Sequence, residues 1–260
     1  MGSFAKSLGQ LSRASLETES ANILKTAAAN KVGLSKALDA TLRQGHDMRA
    51  FGLGTVASMA SVARYANFTA SMRAVYGTME ARLDAAPPGS ANALVWRRHG
   101  DVLRRFDRLD ADLRDVAAEA PALSPATGDY VAAVDAAADA DEADGGGRML
   151  GHLYCRYFAD LFGGSMLAAP YNLALGLPAG TPRHYAFEFA GTRRDFIEDV
   201  YASLNDAGEG VDHAVVTSEA LVAFRRNVDV YTEEPVALDA ARGAANLVAG
   251  GARRVFAARP

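Results

Sequence analysis

The stretch G-H-L-Y-C-R-Y-F-A-D-L-F-G-G-S, residues 151–165, decides how the rest of the chain reads. Its large apolar side chains, with Leu150 just before it, recur at helical spacing (Leu153, Tyr154, Tyr157, Phe158, Leu161), the pattern of a buried helix. Among them stand His152, Arg156 and Asp160, ionisable groups that an apolar core does not require. Gly163 and Gly164 follow, where a helix interior disfavours glycine by about 1 kcal/mol per residue relative to alanine. A glycine pair in this setting predicts a bend, or a surface pressed close to the backbone, and that surface is either another helix or a flat ligand.

Half of the 260 residues are apolar, enough for one large domain, or two small ones, with a substantial core. No apolar run approaches the roughly 18 residues of a membrane-spanning helix. A net charge of -4 gives no electrostatic reason to expect nucleic acid or an anionic membrane as partner. Cys155 is the only cysteine, so no internal disulfide is possible and a reducing compartment is the simpler expectation. Residues 1–16 carry Lys6, Arg13 and several serines with no acid before Glu17, the flavour of an organellar (plastid or mitochondrial) targeting segment. A plain polar terminus on a cytoplasmic protein is the other reading.

Nearly every segment reads as helix: alanine is abundant and β-branched alternation is rare. Residues 21–42 form an amphipathic stretch interrupted at Gly33, with a stop at Gln44-Gly45-His46. Residues 56–83 read as one long helix, ended by Pro87-Pro88-Gly89. Residues 102–116 crowd their charges, Arg104 and Arg105 included, onto what reads as a solvated face. Residues 121–125 read as a loop, and the acidic run 135–147 lacks the spacing of a calcium loop and reads as a flexible linker. Residues 170–182 read as loop, and 184–189 (H-Y-A-F-E-F) alternate like a strand with no partner to pair with. Residues 196–204 and 218–232 are two further helices, and 241–260 a partly ordered tail bearing Arg242, Arg253, Arg254 and Arg259. No phosphate loop, dinucleotide fingerprint, nucleophile elbow or paired-histidine metal spacing occurs.

His152, Tyr154, Arg156, Tyr157, Asp160, Leu161, Gly163 and Gly164 match in register the pattern A-H-x-Y-x-R-Y-L-G-D-L-S-G-G-Q. On these residues the stretch resembles the distal helix of the heme oxygenase family, whose glycines let the backbone lie against the heme. Ala159, Phe162 and Ser165 depart from it, standing where the family has glycine, serine and glutamine. The resemblance extends over roughly residues 21–239. Residues 64–80, with Tyr76 and Glu80, are similar to the family's second helix, and 101–113 to its E-L-x-R-x-x-x-L-x-x-D-L segment. H-Y-A-F-E-F resembles its F-Y-x-F passage, and residues 219–231, with Phe224 and Asn227, its E-A-x-x-A-F-x-x-N-x-x-x-F helix. The resemblance implies an all-α, single-domain fold: an extension at 1–20, the domain at 21–240 and a basic, glycine-bearing tail at 241–260. Heme would lie between a proximal N-terminal helix and the distal helix, with Gly163, Gly164, Tyr154, Lys25, Phe224 and Asn227 at pocket positions.

By the same resemblance, the chemistry needs a neutral histidine on iron, glycine backbone open to dioxygen, an aspartate acting through water, and basic side chains on the heme propionates. Asp160 stands at the aspartate position. It is either the anchor of a proton network or a buried carboxylate paired with a neighbouring arginine or tyrosine. The ligand motif L-K-x-A-T-x-x-x-H ends without its histidine. Register on Leu24-Lys25 puts Val32 or Gly33 there, and register on Met48-Arg49-Ala50-Phe51 puts Asp39. His46 is the nearest candidate iron ligand, about two helical turns further on. Aligning on Tyr201 puts Glu198 and Ala202 where the family presents lysine and arginine, with Arg193 and Arg194 just upstream. The expectation is a protein that keeps the fold without catalysis, a structural or binding subunit of a larger organellar protein assembly, with no cofactor. Two alternatives stand beside it. One is an active heme oxygenase ligated by His46, giving biliverdin, carbon monoxide and iron with electrons from ferredoxin or a reductase. The other is a binder of a tetrapyrrole or other flat molecule without iron ligation.

Overall fold

The helix that begins at Arg148 is started from outside. The Asp141 carboxylate accepts the backbone N–H groups of Arg148 (2.8 Å) and Met149 (2.9 Å), two amides that a helix N-terminus leaves without an internal partner. The carboxylate charge also favours the positive end of the helix dipole. Asn92 fixes it in turn, donating at 2.8 Å.

In the computed structural model, residues 29–45, 48–116, 122–233 and 235–257 are described. They form eleven α-helices and one 3-10 turn, with no strand among the described residues. In chain order these are α1 (Gly33–Gly45), α2 (Met48–Ser58), α3 (Val62–Asp84), α4 (Ala91–Leu103), α5 (Phe106–Asp115), α6 (Pro125–Asp144) and α7 (Arg148–Phe162). The 3-10 turn Gly164–Met166 leads into α8 (Ala168–Leu175), α9 (Arg193–Gly208), α10 (His213–Tyr231) and α11 (Val236–Ala257). The 1–20 extension lies outside the described residues.

Helix α7 runs through the middle, between α10, α6, α3 and α4. Residues 149–158, 160 and 161 are all buried, so this helix is covered on every side except at Ala159. Gly151 makes that possible. A Cβ there would sit 2.6 Å from the Val216 carbonyl oxygen and 2.7 Å from the Ala220 nitrogen, so α7 and α10 cross backbone to backbone. Helices α1 and α9 close one side, and Leu34 and Leu38 of α1 join Tyr154, Phe158 and Tyr201 in one apolar core. The α2–α8–α11 group forms the other side.

Several boundaries differ from the periodicity. The long helix expected over 56–83 is two, because the Ser61 hydroxyl accepts the Arg64 N–H at 3.1 Å and starts α3 afresh. The expected helix 102–116 breaks at Arg104–Arg105, where the Glu80 carboxylate accepts the N–H groups of Arg105 (2.6 Å) and Phe106 (3.0 Å). The acidic run is no linker. Residues 135–144 complete α6, which alanine favours, which Ser124 and Pro125 start and which left-handed Gly145 ends. Arg82 of α3 bridges Asp135 and Asp139 on its outer side. Residues 168–175 form a helix that runs into the expected loop 170–182, and H-Y-A-F-E-F is non-regular backbone. Residues 241–257, read from sequence as a tail, continue α11. Its Gly243 and Gly250 lie so close to the Val56 and Leu173 carbonyls that a Cβ at either would fall within 2 Å of oxygen (1.9 and 1.8 Å).

His99 of α4 is buried against α9, its Nε2 2.8 Å from the Ser203 hydroxyl. Burial pushes the imidazole down to about 4, with the neighbouring Asp199 opposing and Arg98 adding to the shift. The folded state therefore binds this proton less readily than the unfolded one. The stability involved is present above about pH 6.5 and is lost as pH falls toward about 4. Denaturant midpoints are expected to fall through that window, and His99→Gln to flatten that part of the dependence; an unchanged slope in the variant would refute the assignment. Gly151→Ala is expected to cost about 3 kcal/mol in chemical denaturation, because neither backbone can retreat. Gly128→Ala, in α6 with nothing within 4 Å of its Cβ position, should instead gain about 0.5–1 kcal/mol.

Candidate functional site

The buried ionisable residues of α7 find partners on its neighbours, although His152 Nδ1 and Arg156 Nε have none among the described residues. Arg156 donates to Asn227 Oδ1 of α10 at 2.9 Å and to the Tyr76 hydroxyl of α3 at 3.1 Å, and lies 3.6 Å from Asp160 Oδ1. The Tyr76 hydroxyl in turn donates to Asp160 Oδ2. All four side chains are buried, and burial is the first cause that pushes the Tyr76 hydroxyl upward. Asn227 also donates to Cys155 Sγ at 3.7 Å, and burial raises that thiol to about 11, so Cys155 is a protonated core residue. His152 is fully buried one turn earlier, its Nε2 3.0 Å from Glu219 of α10.

The other side of α7 is aromatic and partly open. Tyr154 stacks on Phe158 with centroids 4.4 Å apart, Phe158 stacks on Tyr201 of α9 at 5.4 Å, and Phe162 meets Phe158 edge-on at 5.5 Å. Ala159 is exposed, and Phe162 and Gly163 are half-buried. The glycine pair closes the helix: Gly163 is the last turn's cap, and the chain tightens into the 3-10 turn at Gly164. What presses on Gly164 is a tyrosine. A Cβ there would lie 2.6 Å from Tyr185 Cδ1. Phe224 is buried in the core and meets Phe51 of α2 at 5.1 Å, on α10 with Asn227.

Asp39, where the second of the two registers puts the iron ligand, lies on α1 and pairs with Lys31 (3.1 Å) and Arg43 (2.8 Å). Burial pushes the Tyr154 and Tyr201 hydroxyls up, and the Asp39 charge adds to the shift at both. Glu198, at the lysine position, accepts the backbone N–H groups of Ala29 (3.0 Å) and Asn30 (2.8 Å) as the chain enters α1. Ala202 follows one turn on, Arg193 is half-buried and Arg194 is exposed at the start of α9. His46 and Lys25 lie outside the described residues. The described histidines are engaged elsewhere: His99 with Ser203, His152 with Glu219, His184 with Asp112 and His213 with the Gly208 carbonyl. Among the described residues no cluster of three metal-ligating side chains occurs. With the ligand position at residue 39, the described residues do not fit heme held as the resemblance implies: a paired carboxylate stands there, and Glu198, committed to the backbone, stands where the resemblance places a basic propionate anchor.

Behind Tyr185 lies a cluster that charge patterning hides. Arg105, which falls in a run that reads as a solvated face, is 1% exposed and donates to the carbonyls of Leu103 (2.7 Å), Val102 (2.7 Å), His184 (2.9 Å) and Ala186 (2.7 Å). Burial pulls its guanidinium down to about 10. Asp112, fully buried, accepts the N–H groups of Arg183 and His184 and lies 2.7 Å from His184 Nδ1. The signal was periodicity: Arg105, Leu109, Asp112 and Leu113 share one helical face, so two of the charges sit in phase with the apolar residues.

The sequence profile of the heme oxygenase family matches residues 32–233. No curated protein matches the chain. Heme oxygenase-1 of the cyanobacterium Synechocystis, solved in complex with heme, aligns with a TM-score of 0.65 at 22% identity, over 86% of this chain and 98% of that one. Heme oxygenase of Leptospira interrogans aligns at 0.64 and 23% identity, over 78% and 100% of the two chains. Heme oxygenase 2 of Chlamydomonas reinhardtii, solved without heme, aligns at 0.63 and 20%, over 79% and 99%. At these identities the structures attest the fold, and the profile, spanning most of the sequence, attests the descent. The chain belongs to the heme oxygenase family.

Proposed function

We propose that this protein keeps the heme oxygenase fold as a scaffold and acts as a non-catalytic binding or structural subunit. The observation that carries the reading is Asp39. On the register that places the iron ligand at residue 39, a carboxylate already paired with Lys31 and Arg43 stands there, and on the other register stands Val32 or Gly33, so neither offers a neutral nitrogen donor. Glu198 supports it, since a carboxylate beside a propionate is repulsive and this one is spent on the Ala29 and Asn30 amides. Asp160 fits the same reading as a structural carboxylate, closed into hydrogen bonding with Tyr76 and ion pairing with Arg156.

A second reading, a binder of a flat apolar molecule such as a tetrapyrrole without iron ligation, is favoured by one feature. Ala159 is exposed on an otherwise buried helix, beside half-buried Phe162 and Gly163.

A heme titration followed by absorbance, with His46→Ala in parallel, tests both. The expected outcome is no sharp one-to-one Soret band and no biliverdin when reductant and oxygen are supplied. A saturable band lost in His46→Ala, with turnover, overturns the proposal in favour of the enzyme; a band indifferent to that substitution moves the protein to the flat-guest reading. Separately, Asp160→Ala in the absence of heme should cost about 3–5 kcal/mol in chemical denaturation, because it strands Arg156 and Tyr76 in the interior. A change below about 1 kcal/mol would mean that the carboxylate is not part of the scaffold's support.

A further inference from the structure

A cleft of about 370 Å³ opens between α2, the first half of α3, the end of α10 and the start of α6. None of its lining residues belongs to the aromatic side of α7 or stands at a pocket position given by the resemblance. Its volume falls within the roughly 300–1,000 Å³ of small-molecule sites. One face of α3 lines it, since Arg64, Asn67, Phe68 and Ser71 follow one another at i, i+3, i+4 and i+7. Phe68 meets Tyr231 of α10 edge-on at 4.9 Å, and these two buried rings form an apolar wall. Tyr231 is held by the close approach of α2, where a Cβ at Gly54 would lie 2.7 Å from Tyr231 Cβ.

The polar groups around this wall have bonding capacity left over. Ser124, Thr127 and Ser71 form a hydroxyl chain whose direction is settled. Thr127 spends its one hydroxyl proton on Ser71 (2.9 Å), so Ser124, at 2.7 Å, donates to Thr127. The Ser71 proton at the end of that chain has no acceptor among the described residues. Arg64 gives Nη2 to the Glu233 carbonyl (3.2 Å) and pairs with Asp239 through Nε at 3.3 Å, which leaves Nη1 without an acceptor among the described residues. Glu233 is the reverse case. One of its carboxylate oxygens accepts the Ala126 N–H at 3.2 Å, and among the described residues no basic side chain pairs with the other.

Two spare donors, one of them cationic, and one spare anionic acceptor therefore stand around a pair of aromatic rings. We propose that this cleft binds a small zwitterion with an aromatic or large apolar side group, in class an α-amino acid. Its carboxylate takes Arg64 and Ser71, its ammonium takes Glu233, and its side group lies on Phe68 and Tyr231. Asp239 offsets part of the Arg64 charge and Glu233 repels a second carboxylate, so a plain anion fits less well. A plain amine leaves the Arg64 and Ser71 donors unused and meets a guanidinium beside them. The site goes beyond the scaffold reading and does not depend on it.

The test is a calorimetric titration of the full chain with phenylalanine, with its deaminated and decarboxylated counterparts 3-phenylpropionate and phenethylamine, and with alanine. Saturable one-to-one binding of phenylalanine is expected, at least about tenfold tighter than each of the other three. Glu233→Gln keeps an oxygen for the Ala126 N–H and removes the charge, so it should weaken phenylalanine at least about tenfold and leave 3-phenylpropionate no weaker. Asn67→Trp, at an exposed position of α3, fills the cleft and should abolish binding with the helical circular dichroism unchanged. Absence of phenylalanine binding overturns the proposal. So does 3-phenylpropionate or phenethylamine binding as tightly as phenylalanine, which makes this a plain anion or amine site, or alanine doing so, which gives the rings no part. Phenylalanine binding that either variant leaves unchanged lies elsewhere on the protein and overturns it as well. Glu233→Gln leaves the heme titration as in the parent chain, so a positive heme result defeats the non-catalytic reading without moving the phenylalanine curves.

Discussion

A helix buried along most of its length must find partners for whatever charge it buries, and α7 buries an arginine and an aspartate one turn apart. Left alone, either would face a desolvation cost of several kcal/mol. Tyr76 and Asn227 meet that demand from two different helices, so the burial of Arg156 and Asp160 ties α3 and α10 to α7 at fixed heights. The Gly151 crossing then brings α10 into backbone contact, which leaves no slack in the arrangement. Other helices take their positions around this trio.

The same device recurs at the joints. Four carboxylates, Glu80, Asp112, Asp141 and Glu198, each accept two consecutive backbone N–H groups from outside their own helix. They hold the starts of α5 and α7, the turn before α9 and the entry to α1. Helix starts and turns leave amides unpaired, and a carboxylate reaching over from another helix satisfies two at once while fixing where the chain may go. Much of the acidic content of a protein with a net charge of -4 is thus internal carpentry or ion pairing.

The distal helix, the all-helical class and the family were legible because eight identities fall in one short register and the apolar period is strong. Less was legible where one side chain's hydrogen bond to a backbone amide decides a boundary. Ser61 as a cap, Glu80 as the breaker of 102–116 and Asp141 as the starter of α7 act through geometry that periodicity does not contain. Alanine-rich α6 and α11 were hidden for a different reason. Composition that favours helix, mixed with acid or glycine, reads equally well as linker or tail until packing decides. At the candidate site, the replacements at the ligand and anchor positions could be read from alignment alone. What those replacements do, Asp39 pairing with Lys31 and Arg43 and Glu198 gripping Ala29 and Asn30, required coordinates.

The Glu198 clamp has a consequence for how this lineage can change. A lysine there would supply a cation of the kind that the resemblance assigns to heme. The same step would release the two amides that seat the start of α1 and would set an ammonium where a carboxylate now accepts both. Substitution at residue 198 is therefore coupled to the first helix: whatever replaces the carboxylate must also hold the Ala29 and Asn30 amides, or the entry to α1 loosens. Position 198 is thus constrained by the architecture of the chain's entry point as well as by any ligand it faces.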